Sequence, residues 1–111
     1  MNPTDVNQAQ FPVHKVLYND GEFSVVWGTW DPKEGGDNGL GMRWNQSPKE
    51  PGFPTGFGNR PIWLVIPTSL SIPFVTSLIG KQSADNDALL QVLRELEANG
   101  SMIPPASTSM A

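Results

Sequence analysis

The chain has no cysteine, a single histidine and a single tyrosine. Without cysteine it can form neither a disulfide staple nor a thiolate zinc site, and it has no thiol nucleophile. His14 stands without a second histidine or a neighbouring carboxylate pair, a poor beginning for a metal site. Positive charge is scarce as well. Seven Lys and Arg against eleven Asp and Glu leave a net charge of −4, and the basic residues between Lys15 and Arg60 are scattered among acidic ones. No stripe of cations exists to neutralise successive phosphates, which argues against nucleic acid as a partner. Long apolar runs are also missing. The stretch from Ile62 to Ile79 is broken by Pro67, Pro73 and hydroxyl residues, so it is not expected to span a bilayer. The opening "MNPTDVNQAQFPVHK" shows no basic segment followed by an apolar one, and the expectation is a cytoplasmic protein.

Glycine and proline, by contrast, are abundant at eleven each in 111 residues. A loop-rich single domain is expected rather than a helical bundle. Residues 1–10 lack periodicity and read as a flexible arm, 11–99 as the folded body, and 100–111, with its proline pair, as a disordered tail.

Within the body, "VHKVLYNDGEFSVVWGTW" carries two strand-like runs around Asn19-Asp20-Gly21, a pairing suited to a tight hairpin. Phe23, Val25 and Trp27 alternate with Ser24, Val26 and Gly28, so both faces of the second strand are partly apolar. Such a strand belongs in the middle of a sheet or under cover on both sides. Leu40, Met42 and Trp44 alternate with Gly41, Arg43 and Asn45 and predict a third strand. "PIWLVIP" predicts a fourth, bounded by prolines. A helix is expected from near Ser71 to Gly80, with Pro73 in its first turn. Ala88, Leu89, Val92, Leu93 and Leu96 form the apolar stripe of a last helix, capped by Asp85 or Asp87 and ended by Asn99-Gly100. Four strands followed by two helices give an α+β class: a four-stranded antiparallel meander, curled or open, with the helices on one face.

Catalytic signatures do not emerge. His14 has no nucleophile beside it in sequence, and Ser69, Ser71 and Ser77 lack a Gly-x-Ser-x-Gly elbow. Asp31, Glu34 and Asp37 share a loop without calcium-loop spacing. The glycines from Gly35 to Gly41 lack the lysine of a phosphate cradle. No cofactor is expected. What remains is "GLGMRWNQSPKEPGFPTGFGNRP", a long stretch rich in glycine and proline. Long irregular segments inside compact domains are often functional. If Leu40 and Met42 face the core, Arg43 and Asn45 point to the opposite face, beside Trp30. There Arg43 would hold a carboxylate or a flat polar ligand, or simply cover Trp30. Phe53 and Phe57 would furnish an aromatic rim, or pin the loop to itself.

The segments "GEFSVVWG", "LGMRWN", "GFP" and "PIWLVIP" resemble a pattern of small uncharacterised bacterial proteins, some carried by mobile elements or integron cassettes. The resemblance spans Leu17 to Ile79 and implies a bacterial cytoplasmic accessory protein, with self-association open. It brings no activity and no catalytic residues.

Three readings follow. The first is a non-enzymatic module binding a small molecule or peptide through Trp30, Arg43, Asn45, Phe53, Phe57, Asn59 and Arg60. The second is a homo-oligomer assembled through an exposed sheet face. The third is a small hydrolase or lyase with Glu22 or Asp31 as base beside Arg43.

Overall fold

Strands β1 (Val13–Asn19) and β2 (Phe23–Thr29) form the hairpin expected around Asn19-Asp20-Gly21. Gly21 turns the chain at φ 94°, a region where a side chain would be strained. The Asp20 carboxylate accepts the N–H groups of Glu22 and Phe23 at 2.9 and 2.8 Å, backbone donors that the turn would otherwise leave open. Strand β3 (Asn38–Trp44) pairs antiparallel with the whole of β2, from Phe23–Trp44 to Thr29–Asn38. Strand β4 (Leu64–Val65) pairs with Met42 and Gly41. The helices α1 (Thr68–Leu78) and α2 (Asn86–Ser101) follow. The order β1-β2-β3-β4 is a meander, so the chain has the expected α+β architecture, and the sheet is open. This computed structural model describes residues 1–46 and 49–101. From residue 102 onward, the tail expected at 100–111 lies outside the described residues.

Periodicity explains the helix-covered face. Leu17, Val25, Trp27 and Leu40 project from the strands onto Val75 and Leu78 of α1 and onto Ala88, Leu89, Val92 and Leu96 of α2. Full burial of one such aliphatic side chain contributes about 1.5–3 kcal/mol. Asp85 caps α2 by accepting the Ala88 N–H at 3.1 Å, as its position suggests. Helix α1 starts earlier than expected, at Thr68. The Pro67 carbonyl accepts the Leu70 N–H at 3.0 Å and the Ser71 hydroxyl at 3.2 Å, which begins the helix before Pro73. Pro73 therefore lies inside it, on the exposed side.

The other face is closed by residues with no periodicity at all. Val6 and Phe11, from the segment preceding β1, pack with Val26 and Trp63 into a second cluster. The segment expected as a flexible arm thus lies across the sheet. Two glycines make this close approach possible. A Cβ on Gly28 would stand 2.9 Å from the Phe11 ring, and one on Gly41 only 2.8 Å from it. The sheet is missing side chains where the ring sits.

Candidate functional site

Arg43 and Asn45 do share the face opposite Leu40, as alternation requires, but that face is not open. Arg43 is 1% exposed and Asn45 3%. Arg43 donates through Nε to the Ile62 carbonyl at 3.1 Å and through Nη2 to the carbonyls of Pro51 and Pro54. Its guanidinium lies 5.8 Å from the Trp63 ring, so Trp63 and not Trp30 is its aromatic neighbour. Burial lowers its pKa, from a value high enough that the group stays charged. Arg43 is thus the pin of the 51–62 loop. It does not reach the carboxylates of Glu22 or Asp31, and a base assisted by Arg43 loses its assisting cation.

Asn45 is equally committed. Its Oδ1 accepts the Ser24 hydroxyl at 2.9 Å, and its Nδ2 donates to Asn19 Oδ1 at 3.2 Å and to the Gly21 carbonyl at 3.3 Å. With its backbone N–H on the Glu22 carbonyl at 2.7 Å, it ties the end of β3 to the hairpin turn. Neither residue is offered to a ligand.

The loop that Arg43 pins ends in a small turn. The Gly56 N–H meets the Arg60 carbonyl at 2.7 Å, and the Asn59 N–H meets the Gly56 carbonyl at 3.1 Å. Asn59 adopts φ 61° and Gly58 φ 71°, which reverse the chain tightly. The turn lifts Phe57 until it is 98% exposed, and it carries Arg60 beside it. Trp30, 41% exposed and 6.5 Å from the Phe11 ring between centroids, stands across from them. Between these elements runs a cleft of about 610 Å³ lined by Gln8, Gln10, Trp30, Phe57, Arg60 and Ile62, with Trp63 and Val65 deeper along it.

Three of the seven sequence candidates therefore meet at one cleft: Trp30, Phe57 and Arg60. Phe53 is not on it; its backbone pairs with Trp44, and its ring is 60% exposed rather than pinning the loop. Asn59 serves the turn. The lining that sequence reasoning missed comes from two sources. Ile62 and Trp63 belong to "PIWLVIP", where alternation sets Trp63 and Val65 on one face. Gln8 and Gln10 come from the aperiodic N-terminal segment and carry no signal.

A second, apolar groove of about 690 Å³ lies on the helix side of β4, between Met42, Leu64, Ile66, Leu70 and Phe74. Leu64 is 51% and Leu70 56% exposed. At the far end of the sheet His14 finds a hydroxyl after all, with Nε2 2.6 Å from Thr29 Oγ1. That hydroxyl donates to Asn38 Oδ1 at 2.7 Å, and Asn38 Nδ2 donates to Glu95 at 3.0 Å. With the Thr29 proton spent on Asn38, His14 is the donor in its own bond. The chain is a polar clasp across three strands and α2, not a base with a nucleophile. Among the described residues no helix is long and apolar enough to cross a membrane, and no group of three His, Asp or Glu gathers as metal ligands. Compared with known proteins, the chain matches no family model, no curated protein and no solved structure.

Proposed function

We propose that the chain is a non-enzymatic binding module, holding a small molecule or peptide that carries a carboxylate and a flat apolar group. The observation that carries this reading is Phe57. A phenyl ring 98% exposed at the tip of a tight turn is left in water, on a rim whose base is fixed by a buried arginine. A flat group entering between Phe57 and Trp30 would remove apolar surface from water on both sides. Arg60, exposed and without an ion pair among the described residues, is placed to take the carboxylate, and its fork suits two parallel hydrogen bonds. Gln8 and Gln10 add neutral polar groups to the same wall.

Phenylacetate is a suitable probe, followed by amide and indole NMR shifts. Binding should move the signals of Gly56 to Arg60 and the Trp30 indole. Phe57→Ala and Arg60→Ala should each weaken it roughly tenfold, about what one charge-assisted hydrogen bond or one ring stack is worth. Thermal stability should hardly change, because neither side chain is buried. An Arg60→Ala variant that binds phenylacetate as well as the parent sinks the reading. Self-association through a sheet face has less room here, since both faces of the sheet are covered. Apart from the rings near the cleft rim, Leu64 of β4 and Leu70 and Ile72 of α1 are among the exposed apolar side chains.

A further inference from the structure

The two clefts have one residue in common, Val65, and they lie on opposite sides of the strand that carries it. In an antiparallel ladder alternate residues bond to the neighbouring strand, while those between turn their N–H and C=O the other way. The Ile66 N–H donates to the Leu40 carbonyl at 2.8 Å, and Leu64 stands opposite Met42. Val65 lies between these two bonded positions. Its own N–H and C=O therefore point outward, from the edge of the sheet, which no strand among the described residues covers. The next outward donor, the Trp63 N–H, is already taken by Gln8 Oε1 at 2.8 Å. Among the described residues nothing similar closes Val65.

We infer that the ligand of the cleft is an extended peptide segment that adds to the outer edge of β4 at Val65. Its alternate apolar side chains enter the groove against α1, and an intervening acidic side chain meets Arg60. This rests on the cleft reading above and names its ligand class. The backbone of such a segment exchanges hydrogen bonds with Val65, and the period of two sends its side chains to the two faces in turn. Those faces differ in the way such a segment needs. One is apolar, with Leu64, Leu70 and Phe74, while the other carries aromatic rings and the cation Arg60. A second copy paired about Val65 would run its own Thr68 to Leu70 past Ile62 to Arg60, and none of these bears a negative charge. Charge complementarity thus favours a foreign acidic–apolar segment.

The probe is acetyl-Ser-Leu-Glu-Val-Phe-Leu-Ser-amide, with a rearranged control, acetyl-Leu-Ser-Glu-Leu-Val-Ser-Phe-amide, whose face opposite the glutamate holds two serines and so breaks the apolar alternation. The parent chain should bind the probe at least about tenfold more tightly than the control. Exchange of the Val65 amide should slow when the probe is bound. Val65→Pro removes the outward donor, a change an edge position tolerates, and should weaken the probe about tenfold more than it weakens phenylacetate, which makes no backbone bond to Val65. If Val65→Pro binds the probe like the parent, or if probe and control bind alike, strand addition is wrong while the cleft reading stands. Should Val65→Pro fail to fold, the control peptide and the Val65 exchange rate decide. If Arg60→Ala leaves phenylacetate binding intact, the cleft reading itself fails. A dimer at micromolar concentration that Val65→Pro dissociates would give the edge to a second copy and overturn the peptide.

Discussion

The two faces of this sheet are closed by opposite means. On one, two helices lay down apolar stripes, and the contact is made almost wholly of aliphatic and aromatic side chains. On the other, a segment with a single 3₁₀ turn and an irregular loop do the same task with four clustered apolar residues, a buried arginine and a buried asparagine. The helix face leaves no orphaned side-chain polar group among the described residues. The arm face leaves two, Arg43 Nη1 and Trp63 Nε1. Buried polar groups without a partner cost free energy, and so does holding long irregular backbone in place. The arm face is thus the less stable closure. It is also the one that carries the cleft. A module that presents a rim needs irregular chain at that rim, and Arg43 is the means by which irregular chain is held still.

If the two closures are of unequal strength but equally necessary, deleting one anchor from each should separate them. Phe11→Ala removes the ring that fills the trough over Gly28 and Gly41, and it should cost about 4 kcal/mol, since the glycines cannot fill the space. Leu89→Ala in the helix core should cost about 3 kcal/mol. The distinguishing measurement is hydrogen exchange. Phe11→Ala should release the amides of Trp63 and Gly56 well before those of α2, whereas Leu89→Ala should loosen α2 with the strands. Equal exchange in the two variants would mean that the faces unfold as one unit and that the contrast has no energetic content.

The same contrast explains what could be read from the sequence. The meander and its helices were legible because every element on the helix face repeats with the period of its own geometry. Val25 and Trp27 alternate; Leu89, Val92 and Leu96 recur by the turn. That β2 would be covered on both sides was legible too, from Val26 and Gly28. The cover itself was not, because Val6 and Phe11 have no period and Gln8 reaches Trp63 across 55 positions of sequence. The site suffered for this. Alternation assigned Arg43 and Asn45 to the correct face, but it could not show that the face was closed. Arg60 and Phe57 were legible only as part of a glycine-rich stretch, and nothing local distinguished them from Phe53 and Asn59.

Arg43 offers a sharper test, since it joins the arm face to the rim. Arg43→Met keeps much of the stem's packing but leaves the carbonyls of Ile62, Pro51 and Pro54 without their donor. It should cost about 3 kcal/mol, the value of one to two hydrogen bonds from a charged group. Arg43→Lys retains the charge and loses the fork, so it should recover less than half of that. In both variants phenylacetate binding should fall although neither substitution touches the cleft, because the turn bearing Phe57 and Arg60 loses its anchor. Should Arg43→Lys match the parent in melting temperature and in binding, the pin is a matter of charge alone.

The smallest effect belongs to the hairpin turn, where the two closures meet. Tyr18 packs toward the helix core and donates its hydroxyl to Asp20 at 3.0 Å, while Asn19 belongs to the Asn45 network on the arm face. The Phe23 N–H chiefly, with the Glu22 N–H and the Tyr18 hydroxyl, holds the Asp20 carboxyl below the usual carboxylate range, against a weaker opposing push from desolvation. The same bond raises the Tyr18 phenol above its ordinary value. A carboxyl depressed in the folded state stabilises the fold fully above its unfolded pKa, and that contribution is lost as pH falls through the folded one. Acidification below about pH 4 should therefore weaken the turn in the parent, and Asp20→Asn should lack this part of the acid response. At neutral pH Asp20→Ala should cost about 1 kcal/mol, in line with other side chains that cap exposed backbone donors. Which amides respond decides what the turn supports. The Asn45 N–H, bonded to the Glu22 carbonyl, should exchange faster in Asp20→Ala, while the amide of Leu89 should keep its protection. If Leu89 loosens as much as Asn45, the turn is a fixture of the helix face as well, and the arm face is not the weaker closure at this end of the sheet.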